Sequence, residues 1–181
     1  MIDGYGRTID YVRISVTDRC NLRCVYCMPE EGVSSISHEE ILRFGEIERV
    51  CQILAENGIQ KIKLTGGEPL VRRRLPELAA ALKQIPGIKS LTITTNGVLL
   101  EEMYDALAEA GVDSVTISLD TLDASVYRQL TRRDEIEAVR RGLRTAIQKG
   151  RMQIKINCVP VLGIEEQKLL EVAELAKNHN V

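Results

Sequence analysis

The stretch Tyr11-Val12-Arg13-Ile14-Ser15-Val16, followed by Thr17-Asp18-Arg19 and then Cys20-Asn21-Leu22-Arg23-Cys24-Val25-Tyr26-Cys27, decides how this chain of 181 residues is read. The first six residues alternate and are rich in β-branched side chains, the pattern of a strand. Just past its end come three cysteines within eight positions, spaced C-x3-C-x2-C. Thiolates are soft ligands, and a converging set suits zinc or an iron–sulfur cluster. A cubane cluster is usually held by four thiolates, so a local set of three leaves one iron open to a substrate or cofactor. Asn21 and Arg23 between them are polar and turn-like, which argues against three small core residues.

Strands followed by special residues recur along the chain. Lys61-Ile62-Lys63-Leu64-Thr65 is broken by Gly66-Gly67-Glu68-Pro69, and residues 90–95 by Asn96-Gly97. Residues 114–119 lead through Ser118 to Asp120, and residues 153–159 form a fifth strand. Between them lie helical patterns. Ser37 to Glu40 matches a capping box, with Ile41, Phe44, Ile47, Val50, Cys51 and Leu54 at helical spacing behind it. Further helices are expected over 75–85, 100–110, 125–130, 136–149 and 165–178. Five strand–helix units predict one α/β domain over residues 1–181, built on a parallel sheet with right-handed crossovers. An open doubly wound sheet concentrates its special residues at one switch point. Here they fall at the C-terminal ends of successive strands, which converge at the mouth of a TIM-type (β/α) barrel. Five units cannot close eight strands, so the expectation is a partial barrel, truncated after about five to six units, with Asn180-Val181 where a sixth strand would begin. An unpaired edge there is an association risk, which leaves a homodimer open.

Composition narrows the function. Hydrophobic residues make up 44% and charged ones 28%, ordinary for a globular protein. The net charge of −2 provides no global field for nucleic acid or an anionic membrane, so any anion site is local. One Phe, five Tyr and no Trp are too few for base-stacking platforms. Neither a signal region nor a membrane-length apolar run is visible, which predicts a cytoplasmic protein with reduced thiols. Cys51 and Cys158, in helix- and strand-like patterns, are expected in the core. Among the cations, Arg13, Lys61, Lys63 and Lys155 lie on strands, and inward-facing ones would need an anionic partner such as a nucleotide triphosphate. Arg72-Arg73-Arg74 reads as a solvated basic face, although phosphate recruitment fits it too.

The C-x3-C-x-aromatic-C spacing, with Tyr26 as the aromatic, resembles the signature of radical S-adenosylmethionine (SAM) enzymes. Gly6-Arg7-Thr8-Ile9 and the run from Val12 to Asn21 extend the likeness to the GTP 3',8-cyclase family of molybdenum cofactor biosynthesis. The resemblance implies a radical SAM core in which Cys20, Cys24 and Cys27 hold a 4Fe–4S cluster and SAM chelates the fourth iron. It implies further that Gly66, Gly67 and Glu68 hold the SAM amino group, Glu68 either receiving the amine or bracing the loop. Asn96 and Ser118 would contact SAM, and Tyr26 would pack near its adenine. Arg13, Lys63, Thr94 and Lys155 match GTP-contacting positions; Lys63 stands where the family usually has arginine, keeping the charge but losing bidentate recognition. The activity implied is that of a lyase: a 5'-deoxyadenosyl radical abstracts the 3' hydrogen of GTP, giving 3',8-cyclo-7,8-dihydro-GTP. A reductant or electron-donor protein and an enzyme converting that product to the pterin precursor are implied as partners. In the family a second 4Fe–4S cluster, on cysteines beyond position 181, binds the guanine, so the chain as given is expected to be defective in the full reaction. Two alternatives stay open: a radical SAM enzyme acting on a peptide or tetrapyrrole, and a zinc-binding module using the three cysteines with His38.

Overall fold

In the computed structural model, which describes residues 2–33, 37, 39–164, 167–179 and 181, one parallel sheet carries the site. Its strands are β1 (Tyr11–Ser15), β2 (Lys61–Thr65), β3 (Ser90–Thr95), β4 (Ser114–Ser118) and β5 (Gln153–Asn157). They lie in the order β1-β2-β3-β4-β5, which is chain order. A doubly wound sheet reverses its order somewhere. This one winds in a single direction, as consecutive staves of a barrel do.

The two faces of the sheet differ in chemistry. Ile62, Leu64, Leu91, Ile93, Val115 and Ile117 alternate to one side and are buried beneath the helices. The other side is polar, and the parallel register sets its rows. Arg13 pairs with Lys63, and Lys63 with Thr92. Thr94 pairs with Thr116, Thr116 with Lys155, and Ser118 with Asn157. The inner face of a closed barrel is normally packed with branched apolar residues, whereas this face is a wall of hydroxyls and cations.

Among the described residues six α-helices follow the strands: α1 (Phe44–Glu56), α2 (Leu75–Lys83), α3 (Leu100–Glu109), α4 (Ala124–Thr131), α5 (Ile136–Lys149) and α6 (Leu169–Asn178). Each turns an i, i+3/i+4 stripe inward, such as Leu100, Tyr104 and Leu107 on α3 and Val139, Leu143 and Ala146 on α5. Asp123 caps α4 by accepting from Ser125 N and Val126 N at 2.9 and 3.2 Å.

Three expectations are corrected. Ser37 Oγ does donate to Glu40 Oε2 (2.9 Å), but in a turn ahead of the helix. α1 starts only at Phe44, because Leu42 O is taken by the Arg72 guanidinium (2.6 Å) instead of by an intrahelical N–H. Cys51 is buried as expected, whereas Cys158 is half-buried. β5 ends at Asn157 and the chain turns out of the sheet, leaving the Cys158 thiol to donate to Asp120 O at 3.5 Å. Arg72 leaves the solvated basic run: it stacks 4.5 Å from the Phe44 ring centroid, and burial lowers its pKa. The expected start of the last helix at Glu165, and His38, lie outside the described residues.

Candidate active site

The cysteine triplet sits on the loop between β1 and α1, and its neighbours hold that loop. Val16 N extends the ladder to Thr65 O (2.8 Å), after which the chain leaves the sheet. Leu22, only 3% exposed, plants the loop in the core between the first two cysteines. The C-terminal end of α4 grips it from one side: Arg23 N donates to Thr131 O (2.9 Å) and Val25 N to Leu130 O (2.8 Å). Just past that helix, Arg132 takes a left-handed conformation (φ 54°) and donates to Arg23 O and Met28 O, at 3.2 and 3.1 Å. Across the site, Arg72 donates to Val16 O where the loop departs and to Leu42 O where it returns.

The three thiols are free of disulfides, Cys20 and Cys24 half-buried and Cys27 exposed. Burial pushes the Cys24 thiol up to about 11, with Cys20 and Cys27 adding like-charge repulsion. Cys20 is raised too, by burial first and then by Glu68 and Cys27. Cys27 contributes to both shifts, and a cationic iron centre would turn that like-charge repulsion into attraction. Among the described residues no three His, Cys, Asp or Glu side chains are close enough to grip a single ion. What fits a cluster is the chemistry of the donors, three reduced thiols carried on one loop.

The glycine pair packs against the stem of this loop. A Cβ on Gly66 would fall 2.5 Å from Thr17 O, and one on Gly67 2.3 Å from Arg19 O. Gly67 N donates to Thr17 O (2.7 Å) and Glu68 N to Arg19 O (2.8 Å), so the carbonyls are what this turn offers a ligand. Glu68 is 1% exposed and braces the turn: its carboxylate accepts from Leu70 N (2.9 Å), Thr95 Oγ1 (2.7 Å) and Asn96 N (2.7 Å). Burial raises its pKa in spite of those three donors.

Asn96 joins the ends of β3 and the cysteine loop. Its Nδ2 donates to Asn21 Oδ1 (2.7 Å) and lies 3.9 Å from Cys20 Sγ, while its Oδ1 accepts from Val98 N (3.1 Å). Asp120, past β4, accepts from the Tyr26 hydroxyl on one oxygen and from Val159 N (2.8 Å) on the other. Burial, and then that bond, raise the Tyr26 pKa. Cys24, Tyr26, Asn96, Ser118, Asp120 and Tyr127 together line a cavity of about 40 Å³.

The expected GTP contacts stand apart from this cavity, on the polar face of the sheet. Arg13, Lys63 and Lys155 make no ion pair or hydrogen bond among the described residues, whereas Lys61 on the same face pairs with Asp10 at 2.8 Å. Sequence reasoning missed Arg132, Arg72 as a clamp, and Tyr127. A helix ending in Thr131-Arg132-Arg133 was the one visible signal, since basic residues there meet exposed carbonyls.

Comparison with known proteins agrees with this geometry. The radical SAM superfamily model matches residues 14–176. A GTP 3',8-cyclase of Pelotomaculum thermopropionicum is 51% identical over 178 residues, covering 98% of this chain and 55% of the relative. Another, from Petrotoga mobilis, is 47% identical over 169 residues, covering 93% and 52%. This chain thus spans about half the length of the curated relatives it matches. The crystal structure of Streptococcus suis SuiB superposes with a TM-score of 0.72 at 24% identity, over 93% of this chain and 37% of that one, a likeness of fold.

Proposed function

The chain belongs to the radical SAM superfamily, and from that premise we propose that it carries the SAM-cleaving machinery and part of the substrate wall of a GTP 3',8-cyclase. The cofactors that go with the family are a 4Fe–4S cluster and SAM. Cys20, Cys24 and Cys27 would hold the cluster, with SAM bound beside it. When bound, the pair supplies reductive cleavage of SAM and, from it, abstraction of the 3' hydrogen of GTP.

The protein's own residues orient and enclose. Backbone carbonyls of Gly66 and Gly67 receive the SAM amino group, with Glu68 as the brace beneath them. Asn96 fixes the position of Cys20 and Asn21, Ser118 offers a hydroxyl to SAM, and Tyr26 packs by the adenine with its own hydroxyl held by Asp120. Arg13, Lys63 and Lys155 take the triphosphate, beside Thr94. The observation that carries this reading is the trio of unpaired cations on a hydroxyl-lined wall whose rim is the cysteine loop. Cations of one sign gathered on one polar face, with no carboxylate against them among the described residues, raise the local concentration of a polyanion. The reaction is placed in the cytoplasm, with an external reductant and a downstream enzyme that forms the pterin precursor. The second, guanine-binding cluster is assigned to the part of the relatives that this chain does not span.

The test is direct binding to the chain reconstituted anaerobically with iron and sulfide. Arg13→Ala and Lys155→Ala should each weaken GTP binding about tenfold, as loss of a charge-assisted contact does. Iron content and SAM binding should stay unchanged. Equal GTP affinity in parent and both variants would refute the substrate assignment. A colourless, zinc-containing preparation would refute the cluster.

A further inference from the structure

We propose that the hydroxyl of Tyr127 is a hydrogen-bond donor to the thiolate shell at Cys24, and thereby sets how readily the bound cluster accepts an electron. This deepens the reading above and rests on Cys20, Cys24 and Cys27 carrying that cluster.

Tyr127 lies on the buried side of α4 and is 4% exposed. Its hydroxyl has no hydrogen-bond partner among the described residues. The neighbouring Thr131 hydroxyl is already directed at Tyr127 O (2.8 Å) and Arg133 O (3.1 Å). Buried phenols are nearly always paired, because a donor stripped of water and left alone is costly. Tyr104, which is also buried, obeys that rule, and the more exposed Tyr26 is paired as well. Tyr26 donates to Asp120, and Tyr104 donates to Ala146 O (3.4 Å) while accepting from Arg151 N (3.0 Å).

Tyr127 lines the same cavity as Cys24. That cavity holds only about 40 Å³, so the groups lining it stand close to one another. A neutral thiol is a weak acceptor, whereas a thiolate on iron is a strong one. The unpaired donor in the free chain therefore acquires its acceptor when the cluster is built. Hydrogen bonds to cluster sulfurs favour the reduced, more negative state and raise the potential.

Parent and Tyr127→Phe chains, reconstituted anaerobically with iron and sulfide, would be compared by metal analysis and by a redox titration followed by electron paramagnetic resonance. The expected result is equal iron and sulfide loading, with the variant cluster harder to reduce. At a fixed potential its reduced-to-oxidised ratio should fall about two- to tenfold, where tenfold corresponds to 59 mV for one electron. The apoprotein of the variant should melt no lower than the parent, since only an unpaired oxygen is removed. Equal potentials at equal loading would overturn the inference and leave the hydroxyl to a cavity water. A parent that takes up no iron would overturn the cluster assignment instead. Should Tyr127→Phe fail to load, difluorotyrosine placed at 127 strengthens the donor and must shift the potential upward; no shift overturns the proposal.

Discussion

Replacing Gly67 by alanine sets a methyl carbon 2.3 Å from Arg19 O, 2.6 Å from Arg19 C and 2.7 Å from Asp18 O. All three neighbours are backbone, so no side chain can swing away. Relief requires the glycine turn and the stem of the cysteine loop to separate by about 1 Å, since ordinary carbon contacts lie near ~3.5 Å or beyond. That separation carries Gly67 N–Thr17 O, now 2.7 Å, and Glu68 N–Arg19 O, now 2.8 Å, to the limit of bonding. Two bonds at about 1 kcal/mol each, with about 1–3 kcal/mol of overpacking, give a cost of about 3–5 kcal/mol. For a chain of 181 residues this is a fall in Tm of about 6–20 °C. The assay is thermal unfolding of the metal-free chain by circular dichroism, which separates the packing effect from any loss of SAM contact. Iron uptake should fall in parallel, because Cys20 follows the displaced stem. A Tm within about 2 °C of the parent would show that the turn and the stem are not pressed together.

Arg72→Met keeps the stacking on Phe44 but frees Val16 O and Leu42 O; we expect a loss of about 2–3 kcal/mol and faster proteolysis within residues 17–42, read by mass spectrometry. Glu68 has a native pKa above its unfolded value of 4.5, so its contribution is fully present below 4.5 and is lost as pH rises through the native pKa. The Tm difference between parent and Glu68→Gln should therefore drift against the parent from pH 4 upward, and a flat difference would refute the assignment. In the metal-free chain Cys24 should alkylate about tenfold faster per pH unit until about 11, which peptide mapping of iodoacetamide adducts would follow. Cys51, also raised to about 11 but fully buried, should stay protected.

How far the fold could be read from sequence depended on the kind of signal. Short strands closed by glycine or asparagine were legible to the residue: β2 and β3 run over the expected spans, because alternation and a backbone that breaks it are both local. Chain-order winding was legible too, through polar residues recurring past successive strand ends. The start of α1 was not. Ser37 and Glu40 satisfy a local capping rule, but a guanidinium 30 residues away competes for Leu42 O. In the site, residue types marked the thiols, glycines and cations. Of the supports beneath them, bracing by Glu68 was one of two readings its motif allowed, whereas Arg132 and Arg72 as clamps and Tyr127 as an orphan donor were hidden, because they depend on surroundings distant in sequence. Cys158 misled because a strand-like pattern runs past the point where pairing ends.

The sheet keeps its packing on one face and its ligand chemistry on the other. Ile62, Leu91 and Ile117 supply cohesion under the helices, while Arg13, Thr94, Thr116 and Lys155 contribute little to it. That polar face, the proposed substrate wall, is thus thermodynamically idle and open to drift. Exchanging one hydroxyl or cation for another re-tailors what the mouth accepts while the scaffold beneath goes on folding, a division of labour that lets a single architecture be redeployed across many chemistries.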